Sequence, residues 1–86
     1  MKITVNGLHP MDVQGYGSSV VYVSGSLGGG VATLGYGTDD GFVALTDGVL
    51  EVGKQLEVTH GLGMALLVQM AGSTGANLEV MVKGLK

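Results

Sequence analysis

Hydrophobic and polar positions alternate along most of this chain, the period of a strand with one face buried. Residues 55–60 show it most cleanly. Leu56 and Val58 point one way, and Gln55, Glu57 and Thr59 the other. Residues 77–83 repeat the pattern, with Leu78, Val80 and Val82 inward and Glu79, Met81 and Lys83 outward. Ile3 and Val5 share a face in 2–6, and 20–24 is β-branched and aromatic. In 31–36, Ala32, Leu34 and Tyr36 oppose Val31 and Thr33, and a further strand is expected at 42–45. Residues 64–70 are apolar on both faces, as in a strand covered on both sides.

Turn residues separate these runs. Gly28-Gly29-Gly30, Asp40-Gly41, Asp47-Gly48, Gly53-Lys54, His60-Gly61 and 72–75 recur at short intervals. Seventeen glycines interrupt every window long enough for a helix, and each costs a helix interior about 1 kcal/mol. The pattern predicts an all-β fold, a small β-sandwich or jelly-roll-like barrel of seven to eight short antiparallel strands, mostly in sequential hairpins. One domain spans 1–86, with the sandwich over 19–83. The first 18 residues read as a strand followed by an irregular arm. Within 6–18 alternation lapses, and Leu8, Met11, Val13 and Tyr16 show no shared core face. They are the candidate partner-contact residues of such an arm. The equal alternative is an edge strand followed by a surface loop.

Composition sharpens this picture. Eighty-six residues without cysteine make a thin core, since so short a chain buries only about 60–65% of its unfolded surface. Yet the chain is 45% hydrophobic with a mean hydropathy of +0.44. Association with further copies or with a larger partner reconciles the two. The aliphatic run 64–68 is far short of the roughly 20 residues that cross a bilayer, and the N-terminus lacks the apolar block of a signal peptide. The expectation is therefore a protein made in the cytoplasm, with no membrane partner. Four scattered lysines and a net charge of −3 cannot neutralise a run of phosphates, which excludes nucleic acid.

Candidate chemistry adds little. After Gly30 a P-loop would need Lys and then Ser or Thr, but Val31 follows. Gly15/Gly17, Gly35/Gly37 and Gly61/Gly63 each begin G-x-G-x-x-G, but Val20, Asp40 and Leu66 stand where the third glycine belongs. Asp39-Asp40 lacks the alternate-position carboxylates of a calcium loop and reads as the structural turn of a hairpin loop over 37–41. His9 and His60 have no metal-ligand spacing. A triad drawn from Ser18 or Ser19, His60 and Asp12 has no supporting context. No enzyme activity, metal or cofactor is expected. A sugar-binding module would need exposed rings. Phe42, Tyr22 and Tyr36 fall in strands and read as core, which leaves Tyr16.

The run "VSGSLGGGVATLGYGTDDGFVALTDG", followed by "QLEVTHGLGMALLVQMAGSTGANLEVMV", resembles small glycine-rich structural proteins of tailed bacteriophages. The shared features are a Gly-Gly before a strand, an Asp-Gly hairpin, an aromatic followed by "VALTD", and a final "GSTGANLEV" hairpin. Phe42 stands where the family often has Trp. The resemblance covers 19–83. It implies a virion component on the outer capsid surface: a capsid decoration (cement) protein, commonly a homotrimer, partnered by the major capsid protein lattice. A tail or fibre component is the alternative within that class, and a small carbohydrate-binding module the alternative outside it.

Overall fold

The alternating segments fold as strands, because that period buries one side of each against a second layer. The computed structural model describes residues 1–11, 17–59 and 66–84. In chain order the strands are β1 (Lys2–Ile3), β2 (Gly7–Met11), β3 (Ser18–Ser26), β4 (Val31–Thr38), β5 (Gly41–Leu50), β6 (Gln55–Thr59), β7 (Leu66–Ala71) and β8 (Asn77–Gly84). They form two antiparallel four-stranded sheets, in the orders β1-β8-β3-β6 and β2-β7-β4-β5. The all-β expectation holds, and among the described residues there is no helix.

The pairing is nested. β4 pairs β5, β3 pairs β6, β2 pairs β7 and β1 pairs β8. The chain is thus one long hairpin centred on Asp39-Asp40 and rolled over itself. Contacts of β3 with β8 and of β4 with β7 then join the pairs into two sheets. This is the strand order of a jelly roll. The expected run of sequential hairpins is replaced. Among the described strands only β4 and β5 are joined as a hairpin within one sheet, while the connections at 4–6, 27–30, 51–54 and 72–76 each cross between sheets. Alternation says which side of a strand is buried, not which strand lies beside it.

Between the sheets, Ile3, Val21, Leu34, Leu66, Val68, Leu78 and Val80 are wholly enclosed. Full burial of such a side chain contributes about 1.5–3 kcal/mol, so each one matters in so small a core. Ile3 and Met11 belong to this core, which makes β1 and β2 integral to the sandwich. Gly7–Met11 is a strand where alternation lapsed. Its outward residues, Leu8 and Pro10, are apolar, and proline is tolerated because β2 is an edge strand.

Two turn signals resolve differently from expectation. The Asp39-Asp40 turn is tighter than 37–41, since Thr38 and Gly41 still pair. Asp47-Gly48 does not end a strand. β5 runs on to Leu50, and residues 45–48 form a wide bulge opposite Leu34, with Asp47 at φ 58°. All four sheet edges are interrupted. β1 has two residues, β2 carries Pro10, β5 carries the bulge, and β6 has Glu57 at the centre of five residues. Such features discourage strand-to-strand pairing with another chain.

Candidate functional site

The outward residues of the two sheets differ in kind. On the β1-β8-β3-β6 sheet, register places Lys2 beside Glu79, Met81 beside Tyr22, and Lys83 beside Val20 and then Glu57. This face is charged around a short apolar centre. On the β2-β7-β4-β5 sheet one row runs Leu8, Gln69, Thr33, Val49, and the next runs Pro10, Leu67, Gly35, Ala44. Val31 and Ala71 pair at one end of these rows. The four strands carry one charge, Asp47, and it sits in the bulge. Leu8, Val31 and Val49 are 49%, 50% and 56% exposed. The broad outer face of this sheet is therefore open and largely apolar, with Gln69 and Thr33 in the middle of one row, no charge in its two central rows, and Asp47 in the bulge of its edge strand.

Phe42 is half-buried on this same face. Its ring lies over Gly35, where an added Cβ would come within 2.6 Å of Phe42 Cζ. Phe42 was expected in the core and instead covers backbone from outside. Tyr22 was also expected in the core. It stands outward and 38% exposed, between the inward Val21 and Val23. Tyr36 is half-buried beside the core, and its hydroxyl donates to the Thr59 carbonyl (3.3 Å).

The proposed arm residues separate. Leu8 lies on the uncharged face, whereas Met11 is only 8% exposed and packs in the core. Val13 and Tyr16 lie outside the described residues, as do Asp12 and His60 of the triad considered above. His9 Nε2 donates to the Val5 carbonyl (2.9 Å). Among the described residues no three His, Cys, Asp or Glu side chains come together as metal ligands. Among the described residues no helix is long and apolar enough to cross a membrane.

The triple glycine has a packing role. A Cβ on Gly28 would sit 2.7 Å from the Thr74 carbonyl oxygen, and one on Gly30 would sit 2.6 Å from that of Ala71. The β3–β4 crossing is thus pressed against the β7–β8 crossing, and Thr74 N donates to Gly28 O (2.9 Å). At the β5–β6 crossing Lys54 Nζ meets Glu51 Oε2 at 2.8 Å. That hydrogen bond, with the charge attraction, lowers the Glu51 pKa and raises that of Lys54, both largely exposed. An open apolar groove of about 470 Å³ lies among Met1, Pro10, Met11, Val80, Met81 and Val82. No charged side chain lines it to orient a ligand.

The uncharged face had a signal in the sequence. The strand expected at 64–70 reads as apolar on both sides. In the structure Leu67 and Ala71 of β7 form the outward apolar half of it. No family model, curated protein or solved structure matches the chain.

Proposed function

We propose that this chain is a non-enzymatic structural protein of a phage virion, a capsid decoration protein that binds and stabilises the head lattice as a homo-oligomer. The observation that carries the reading is the outer face of the β2-β7-β4-β5 sheet, whose two central rows carry no charge. Exposed apolar side chains gathered on one face, here Leu8, Val31 and Val49, are a common mark of a contact surface. A protein that works by covering and being covered needs a rigid frame and matched area, and no reaction centre. The virion setting comes from the resemblance of 19–83 to phage structural proteins. The jelly-roll order is compatible with it, since this topology recurs in capsid domains, and also in lectins. A sugar-binding role draws less support. Among the described residues Tyr22 is the one ring more than a third exposed.

The test is co-sedimentation of the purified protein with shells assembled from the major capsid protein encoded nearest to it. Saturable binding at a fixed ratio to the shell subunits, with slower thermal disruption of the shells, is the expected result. Folded protein that stays in the supernatant at every shell concentration overturns the reading.

A further inference from the structure

A homo-oligomer needs a contact surface, and we infer that copies of this chain meet through the outer face of the β2-β7-β4-β5 sheet. The inference rests on the self-association part of the reading above.

The sheet edges and the placement of charge select this face, and Gln69 and the available area suit a second copy as its occupant. The sheet edges are poor candidates, because each is shortened, bulged or interrupted by proline or charge. Charge decides between the two faces. In a twofold contact each patch meets a copy of itself, and any charge it carries has to be stripped of water. The β1-β8-β3-β6 face would bring Glu57, Glu79, Lys2 and Lys83 into the contact, whereas the other face brings no charge across its two central rows. At its centre Gln69 carries both a donor and an acceptor, so its amide complements a copy of itself. Area agrees as well. The molecule measures 34 × 28 × 20 Å, so the whole outline of its broad side, which either sheet would present, is roughly 750 Å², and a standard interface of ~800 Å² per partner would use nearly all of it.

The experiment measures mass in solution by light scattering from micromolar to millimolar protein. It compares the intact chain, a Val49→Lys/Ala71→Lys variant and a Gln55→Lys variant on the opposite sheet. The expected result is an oligomer for the intact chain and for Gln55→Lys, and a folded monomer for the double variant. Because the chain has no cysteine, single cysteines give a second readout that needs no destabilising charge. Val49→Cys should cross-link between copies with a short bismaleimide, and Tyr22→Cys should not. An oligomer that survives in the double variant, or cross-linking at 22 and not at 49, overturns the choice of face while leaving self-association intact. A monomeric intact chain removes self-association itself. Shell binding is scored separately by co-sedimentation.

Discussion

Asn6 and Ser73 hold each other by three hydrogen bonds. Ser73 donates to Asn6 Oδ1 through its backbone N (3.0 Å) and its hydroxyl (2.8 Å), and Asn6 Nδ2 donates to the Ser73 carbonyl (3.2 Å). Both residues lie on crossings between the sheets, one from β1 to β2 and one from β7 to β8. Because β1 pairs β8 and β2 pairs β7, these crossings run side by side, and one amide ties them together.

Replacing Asn6 with Ala removes all three bonds at a partly solvated site. The expected loss is about 1–2 kcal/mol, read as a melting temperature roughly 5–10 °C lower. Asn6→Asp keeps the acceptor and loses only the donated bond, so its melt should fall between the two. Equal melting of Asn6→Ala and the intact chain would show that the clamp contributes nothing.

At Gly35 a new Cβ would collide with the Val43 carbonyl and the Phe42 ring. Gly29 has positive φ but open space around its Cβ position. Gly29→Ala should cost about 1–2 kcal/mol from the left-handed backbone alone. Gly35→Ala should cost more, about 2–3 kcal/mol, because backbone must move as in an overpacked core. Chemical denaturation of the two variants in parallel checks the order.

Ile3 is fully enclosed although β1 has only two residues. Ile3→Ala should destabilise by about 2–5 kcal/mol, a large share of the stability of so small a domain. Deleting residues 1–11 removes Met11 as well and should abolish cooperative unfolding in a calorimetric scan. A detachable arm would give the opposite result, a truncated chain that melts like the intact one.

The tip of the β4–β5 hairpin depends on Thr38. Its hydroxyl donates to Gly41 O (2.8 Å) and accepts from Asp40 N (3.2 Å). Thr38→Val should therefore cost about 1 kcal/mol, and Asp40→Ala much less, because the Asp40 contact is through backbone. Millimolar calcium should leave the melt of the intact chain unchanged. A rise with calcium that vanishes in Asp40→Ala would make the tip a cation site.

The Glu51–Lys54 pair predicts a small pH signature. The lowered Glu51 pKa means its contribution is present above the ordinary carboxylate value of 4.5 and is lost as pH falls through the folded value. The raised Lys54 pKa means its contribution is present below 10.5 and is lost as pH rises through the folded value. Between those limits the stability of Glu51→Gln relative to the intact chain should be flat with pH, and slightly lower. Both groups are largely exposed, so the difference should shrink in high salt. Melts at neutral and acidic pH, with and without salt, test this.

Which parts of the fold were legible depends on what alternation encodes. The strands β3, β4, β6 and β8 follow from side-chain parity, because one face is apolar and the other polar. Tyr22 shows parity outweighing hydrophobicity. It lies between Val21 and Val23, so it must face away from them, and it does. β2 was hidden because Leu8 and Pro10 are apolar on its outer side and Pro10 reads as a breaker. The bulge in β5 was hidden because Asp47-Gly48 is chemically a turn, and only the pairing partner shows that the strand resumes. Nested pairing is non-local and leaves no mark in any short window. The uncharged face was half legible, since the apolar outer side of β7 pointed to a cover without naming it.

The nested pairing also determines when each strand can find its partner. The two-residue loop at Asp39-Asp40 is the shortest to close, and every outer pair encloses a longer one. Folding dominated by such distant pairings runs in milliseconds to seconds. On a ribosome that adds about 5–20 residues per second, β1 faces a longer wait. Its one strand partner is β8, and Lys2 pairs with Glu79. β1 therefore spends about 4–15 s without its partner while the intervening chain is made. Of these eight strands the earliest made is among the last to be locked in place, and until then Ile3 is an exposed hydrophobe that the nascent chain must keep from straying.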